Sequence, residues 1–354
     1  MLFRFATLEQ QLAKRVGTLF LVCLEERGRT LIAARDVSQG SIIHAELPML
    51  STPPPPGASG AYSNQANRMC ATCLSPLTSG PHDTGNIYST SQDWNFCSKV
   101  CQNVASNEWL DVAQTCDFSE LLQVCSEGGL KFPLLAVRLA CMTIQMSCRH
   151  NKYTHEIGGD EDASQVERGN PLTELNRLCY ANIDSIPEEW SLLYRLLNKG
   201  LSRCGKMEHS SNPITLPWFA QVMARLHPNT FRVDTVSIPA RDVTDRSSFP
   251  LRAVASTVSE SIVGPISHSP GSAVYLLGSM FNHSCEPNVE VTFPSNNSKA
   301  VFKAARDIQR NEELTISYVD QTMNVSARRR ALKFGYGFNC QCPKCISEGE
   351  GSCI

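Results

Sequence analysis

The spacing of apolar and polar positions changes character twice along the chain. Over "TLFLVCLEERGRTLIAARDVSQGSIIHAELPML" short apolar runs are cut by turn residues at Gly28 and at Ser38-Gln39-Gly40, which predicts a series of short β-strands. Four prolines at 53–56 followed by Gly-Ala-Ser-Gly close this unit, because proline lacks the backbone donor that a strand needs. Beyond residue 118 apolar side chains recur at helical spacing in "FSELLQVC", "FPLLAVRLACMTIQM", "PLTELNRLCYANI", "EEWSLLYRLLNKGL" and "LPWFAQVMARLH", separated by polar loops such as 158–167. From about residue 228 the β pattern returns, interrupted by a Ser/Pro-rich segment over 241–271 that is expected to be mobile. There is no internal repeat, no heptad run and no long low-complexity tract. Strands at both ends with other material between them predict an α+β chain, in which one β domain is split by insertions.

Composition narrows the partners more than the fold. At 354 residues the chain has room for two or three structural units, and with 19% charged residues and a formal net charge of −2 it has no overall bias toward nucleic acid or anionic membrane. Binding specificity must therefore be local, and direct nucleic-acid binding is not expected. No apolar run approaches the roughly 18 to 20 residues of a membrane span; the longest near the N-terminus is Leu19-Phe20-Leu21-Val22-Cys23-Leu24. The opening "MLFRFATLEQQLAKRV" is only weakly like a transit peptide. Residence in the cytoplasm and/or nucleus is expected, as a monomer without membrane attachment.

A reducing compartment changes how the sixteen cysteines read. Close-spaced thiols there are metal ligands more often than disulfides, whereas isolated ones such as Cys141 and Cys148 fill a helix core. "CQCPKC" places Cys340, Cys342 and Cys345 within six residues. A tetrahedral structural zinc takes four thiolate or imidazole ligands, so a fourth must come from elsewhere, and Cys285 is the natural candidate. Cys70 and Cys73, with Cys97 and Cys101 in "FCSKVCQ", form a second four-thiolate set. Two zinc ions are expected. Cys116 and Trp109 read as packing residues, and the basic run Arg328-Arg329-Arg330 as a solvated helix face.

Three motifs in order, "NHSCEPN" (282–288), "EELTISY" (312–318) and "YGFNCQCPKC" (336–345), resemble the SET-domain protein methyltransferases. The split arrangement, "NTF" at 229–231 and "RRRALKFGYGF" before the last cysteines are similar to the SET-and-MYND subfamily. The resemblance implies a mostly β SET fold with a pseudoknot, in which the 282–285 segment sits beneath the chain running into Tyr318. It divides the chain into an N-terminal part of the SET domain (16–65), a truncated MYND-like zinc module (66–118), a helical insertion (119–227), the core SET domain (228–325) and a post-SET zinc-binding tail (326–354). It implies transfer of a methyl group from S-adenosylmethionine to a lysine of a protein substrate, histone or non-histone. Tyr318 matches the catalytic tyrosine. Asn282, His283, Phe338 and Arg29 match the cofactor side, and Phe231 and Tyr336 match walls of the lysine channel.

Two departures from the family pattern stand out. The usual Gly-x-Gly of the first cofactor turn is Gly28-Arg29-Thr30 here, and if the threonine crowds the turn, Thr30→Gly should tighten cofactor binding. The MYND-like unit holds one of the two usual zinc sites, and the C-terminal helical domain of many relatives is expected to be absent. The rival reading is a non-catalytic scaffold that binds a partner through its zinc module and helices.

Overall fold

The computed structural model describes residues 7–14, 17–24, 28–55, 69–77, 88–89, 94–157, 170–204, 213–237 and 267–350. The 158–167 loop, the Gly-Ala-Ser-Gly after the proline run, and the 241–271 segment up to residue 266 lie outside the described residues. Helix α1 (Leu8–Ala13) starts at a capping box in which Thr7 and Gln10 satisfy each other's backbone N–H groups. Strands β1 (Leu19–Leu24) and β2 (Gly28–Ala33) then pair antiparallel. Gly28 takes a φ of +67° at the entry to β2, a left-handed conformation that suits glycine. β3 (Ile42–Glu46) and β4 (Leu50–Thr52) complete the expected N-terminal strands.

The middle of the chain is a small cysteine-bearing unit followed by helices. β5 (Tyr88–Ser89) pairs with β6 (Asn95–Phe96), and α2 (Lys99–Ala105), capped by Ser98, continues through a π turn at Ser106–Leu110 into α3 (Asp111–Ala113). α4 (Ser119–Gly128) stops at Gly129, whose φ of +62° terminates it in a left-handed cap. α5 (Phe132–Ile157), α6 (Pro171–Asn176), α7 (Glu188–Leu201) and α8 (Leu216–Asn229) follow. The cysteine unit is fastened to α5 by Arg138, which donates to the Ala71 carbonyl at 2.8 Å and lies 3.9 Å over the Trp109 ring. Trp94 meets Trp109 edge-on at 5.0 Å, and Trp109 is buried, as its packing role required.

One helix is shorter than its pattern. "PLTELNRLCYANI" forms only six residues of helix, α6, because its later backbone groups are taken by α8: Ala181 N–H donates to Ala224 O at 2.9 Å, and Asn229 Nδ2 donates to Cys179 O at 2.7 Å. Tertiary hydrogen bonds here replace the helical ladder.

The remaining strands are β7 (Thr230–Ser237), β8 (Ser267–Val274), β9 (Asn282–His283), β10 (Val289–Thr292), β11 (Ala300–Ala304) and β12 (Thr315–Ile316), followed by α9 (Val325–Tyr336) and α10 (Pro343–Glu350). Both larger sheets join chain ends that are distant in sequence. β11 lies between β10 and β3, with Ala300 opposite Glu46, and β8 lies between β4 and β7, with Ser272 opposite Thr52. Leu31, Ile43, Leu50, Phe281 and Phe302 are fully buried in one core cluster that also takes in residues of α5 and α8.

β12 runs parallel to β9, Thr315 opposite Asn282 and Ile316 opposite His283. On its approach the same segment bonds to β2, through Leu314 N–H to Leu31 O at 2.8 Å and Ala33 N–H to Glu312 O at 2.9 Å. The chain leading to Tyr318 is thus held on one side by β2 and on the other by the 282–288 segment.

Candidate active site and metal centres

Each cysteine set converges. In both, the four Sγ atoms lie within 4.8 Å of one another. Four thiolates at about 2.3 Å from a tetrahedral zinc stand about 3.8 Å apart. Cys285 to Cys345 is 3.5 Å and Cys285 to Cys340 is 3.9 Å, while Cys73 to Cys97 is 3.6 Å and Cys97 to Cys101 is 3.5 Å. Donor chemistry and edge lengths both fit zinc. In the first set Cys70 and Cys73 sit on a tight turn held by Thr72, whose hydroxyl donates to Cys101 O at 2.8 Å, and Cys101 is in the first turn of α2. In the second, Gly337 ends α9 with a φ of +80° and turns the chain toward Cys340 and Cys342; Cys345 opens α10, and Cys285 follows β9. Cys116 is buried outside both sets, its thiol donating to Val112 O.

Cys340 and Cys342 are shifted in opposite directions. Burial pushes Cys340 up to about 11, whereas at Cys342 burial is outweighed by backbone N–H groups of Cys345 and Cys285, which bring it down to about 7. Four buried thiolates repel one another, so ionising the whole set needs a cation among them.

The aromatic and polar residues meet in one cleft of about 2080 Å³, lined by Arg29, Phe231, Asn282, His283, Tyr318, Tyr336 and Phe338. Tyr318 is fixed from two directions. Its hydroxyl donates to the Phe281 carbonyl at 2.6 Å, and its backbone N–H donates to His283 Nδ1 at 3.0 Å. Because Nδ1 accepts, a neutral His283 ring carries its proton on Nε2, which faces Cys285 Sγ at 3.2 Å. The imidazole therefore links the tyrosine to the C-terminal cysteine set. Tyr336 packs 4.6 Å from the Tyr318 ring, and burial holds its phenol above the usual range. Phe338 lies 6.1 Å from His283, and Phe231 meets Tyr275 edge-on at 5.2 Å.

Residues within the recognised motifs but without an expected role hold this frame together. Asn288, buried, accepts from Thr315 N–H at 2.8 Å and donates to Glu313 O at 2.8 Å. The Glu313 carboxylate accepts from Asn282 Nδ2 at 3.0 Å and from the Thr30 hydroxyl at 2.7 Å. Both residues stand in the quoted motifs, but the partners just named are at least 25 positions away, beyond any local pattern.

Thr30 departs from expectation. Its side chain is fully buried, bonded to Glu313, and does not line the cleft that Gly28 and Arg29 reach. Its φ is not positive either. The threonine therefore does not crowd the turn, and the tighter cofactor binding expected of Thr30→Gly has no steric basis. The substitution should instead destabilise the fold by about 2 to 3 kcal/mol, from a lost hydrogen bond to a carboxylate and a glycine inside a strand. Denaturant unfolding will show this as a lower midpoint; an equally stable variant with tightened S-adenosylmethionine binding would restore the crowding argument.

The split sheets, the parallel β9–β12 pairing and the motif residues gathered at their junction define a SET fold. The SET domain profile matches residues 28–319, and the chain belongs to that family. It is similar to the histone-lysine N-methyltransferase ATXR4 of Arabidopsis thaliana, 28% identical over 323 residues that make up 91% of this chain and 84% of that one. A SET and MYND domain-containing protein of Dictyostelium discoideum is 26% identical over 348 residues, 97% of this chain and 88% of that one. The protein-lysine N-trimethyltransferase SMYD5 of Mus musculus is 39% identical over 94 residues, 26% of this chain and 23% of that one. The solved SET domain of LSMT bound to lysine and AdoHcy aligns over 92% of this chain and 53% of its own, at 13% identity and a TM-score of 0.29, too low a likeness for distances to be carried across.

Proposed function

We propose that this chain is a zinc-containing, S-adenosylmethionine-dependent protein-lysine N-methyltransferase. The observation that carries the reading is Tyr318, pinned by its hydroxyl to Phe281 O and by its backbone to His283, in a cleft lined by further aromatic side chains. With the hydroxyl proton given to Phe281, the phenol oxygen can act on a further group only as an acceptor. That suits a site that orients an amine and a methyl group.

S-adenosylmethionine, when bound, supplies an electrophilic methyl on a sulfonium. The chain must present a neutral amine to it. A lysine of pKa about 10.4 is about 3.4 units from deprotonation at pH 7, which costs about 4.6 kcal/mol. Walls made by Phe231 and Tyr336 disfavour the ammonium by excluding water. Tyr318 orients the amine through its oxygen, and holding both reactants in line lowers the entropic part of the barrier. Arg29 is the cation suited to the cofactor's carboxylate, Asn282 and His283 hold its polar edge, and Phe338 offers its ring to the adenine. Cys70, Cys73, Cys97 and Cys101 would hold one zinc, and Cys285, Cys340, Cys342 and Cys345 a second.

Saturable S-adenosylmethionine binding by calorimetry, with transfer of labelled methyl to lysines on a proteome-derived peptide array, is the expected result. A folded, zinc-loaded protein that shows no cofactor binding at saturating concentrations would favour the scaffold reading instead.

A further inference from the structure

The basic run at the start of α9 is not the solvated face that its sequence suggests. Arg330 is exposed and Arg329 half-buried, but Arg328 is only 1% exposed and is among the largest fully buried side chains. It sits against the C-terminal cysteine set. Its Nη2 lies 3.6 Å from Cys345 Sγ and 2.7 Å from Glu348 Oε2, and its Nη1 donates to the Met323 carbonyl. Its Nε has no hydrogen-bond partner among the described residues. Arg329 reaches the same set from its backbone side, donating to Cys340 O at 3.3 Å and Cys345 O at 3.0 Å.

We infer that Arg328 is the internal countercation of the Cys285/Cys340/Cys342/Cys345 site and slows loss of its zinc. The inference rests on the zinc reading of those four thiols. Four thiolates around one Zn²⁺ leave two net negative charges, and all four cysteines are buried. A buried charge must be compensated locally, because water cannot do it. Arg328 brings one fixed positive charge to the sulfurs.

Glu348 does not by itself account for the burial. Its side chain is 39% exposed and can be solvated without a partner, whereas the arginine side chain beside it is 1% exposed. Burying a guanidinium to satisfy one rim carboxylate costs more than such a pair returns. A thiolate cluster that is itself buried gives the guanidinium a stronger reason to be there. Residues just outside a metal's ligands typically alter its retention by about 10- to 100-fold.

The test uses the full chain with both cysteine sites loaded, following zinc release to 4-(2-pyridylazo)resorcinol at fixed pH in the wild type, Arg328→Met, Arg328→Lys and Glu348→Gln. Wild-type protein should carry two zinc ions, the other cysteine set serving as an internal reference. Arg328→Met should release one zinc about 10- to 100-fold faster and the other at the wild-type rate. Arg328→Lys keeps the charge and should fall between the two. Glu348→Gln should release zinc no faster than wild type, since it frees the guanidinium for the sulfurs. Wild-type kinetics in Arg328→Met would overturn the inference, and so would acceleration by Glu348→Gln as large as that of Arg328→Met, which would make the ion pair the working part. If Arg328→Met does not fold, which loss of both zinc ions would reveal, Arg328→Lys and Glu348→Gln decide between the same alternatives. A wild type whose zinc content is unchanged by Cys342→Ser would hold no zinc at this set, which would remove its metal reading and the inference with it.

Discussion

Tyr318→Phe is expected to bind S-adenosylmethionine nearly as well as the wild type while turning over at least about tenfold more slowly, a loss of about 1.4 kcal/mol in transition-state stabilisation. The ring survives the substitution, so its packing against Tyr336 at 4.6 Å and beside His283 at 5.2 Å persists, and so does the backbone bond to His283 Nδ1. What disappears is one oxygen. On the folded side that oxygen donates to Phe281 O at 2.6 Å, and on the cleft side it is the acceptor assigned to the reacting amine and methyl group. The first loss is structural and the second catalytic, so they must be separated. Leaving the buried Phe281 carbonyl unpaired costs about 1 to 3 kcal/mol of stability, which thermal unfolding will register. Turnover measured well below the variant's melting temperature, together with cofactor titration, reports the second. A folded variant with wild-type turnover on a verified substrate would dismiss the catalytic assignment.

The second large effect is expected from Cys342→Ser. Elemental analysis should fall from two zinc ions per chain to one, because a serine hydroxyl is a poor replacement for a thiolate ligand. The consequence should reach the cleft. Cys285, Cys340, Cys342 and Cys345 with Leu332 form a compact buried cluster against which Tyr318, Val319, Val325 and Tyr336 pack. A structural zinc in such a small cluster supplies much of its folding free energy. Without it the turn at Gly337 that carries Phe338 loses its anchor, and His283 loses a fixed partner for Nε2 at Cys285. S-adenosylmethionine affinity should drop at least about tenfold, or about 1.4 kcal/mol. A variant that retains both zinc ions, or one that loses zinc and keeps wild-type affinity, would show that the tail and the cofactor site are not coupled in this way. Wild-type protein treated with a strong chelator should reproduce the affinity loss without any substitution.

Much of this frame is legible in the residues. Apolar alternation and turn residues locate β1 to β4, and helical periodicity finds α4, α5, α7 and α8, since these elements are stabilised by the neighbours that the pattern itself contains. The two cysteine sets are equally legible, because three thiols within six residues and two close pairs stand at the spacing of structural zinc ligands. The three C-terminal motifs bring Asn282, His283, Tyr318, Tyr336 and Phe338 together in name before any distance is known.

What the residues could not state are the partners. The parallel pairing of β9 with β12 spans only two residues on each strand, too short for any periodicity to announce. Thr30 looks like a crowded turn until its hydroxyl is seen on Glu313, 283 positions away. Arg328 reads as one of three solvated cations, and only the fold of α9 over the cysteines turns it inward while Arg330 stays in water. By itself the sequence determined most of the longer helices, the N-terminal strands, the two cysteine sets and the family, because those depend on local spacing and on the chemistry of single side chains. The tertiary structure alone decided which way Thr30 and Arg328 face, which groups Asn288 and Glu313 tie together, and that His283 joins the tyrosine to a thiol. Each of those depends on burial, and a chain acquires burial only when distant segments close over it.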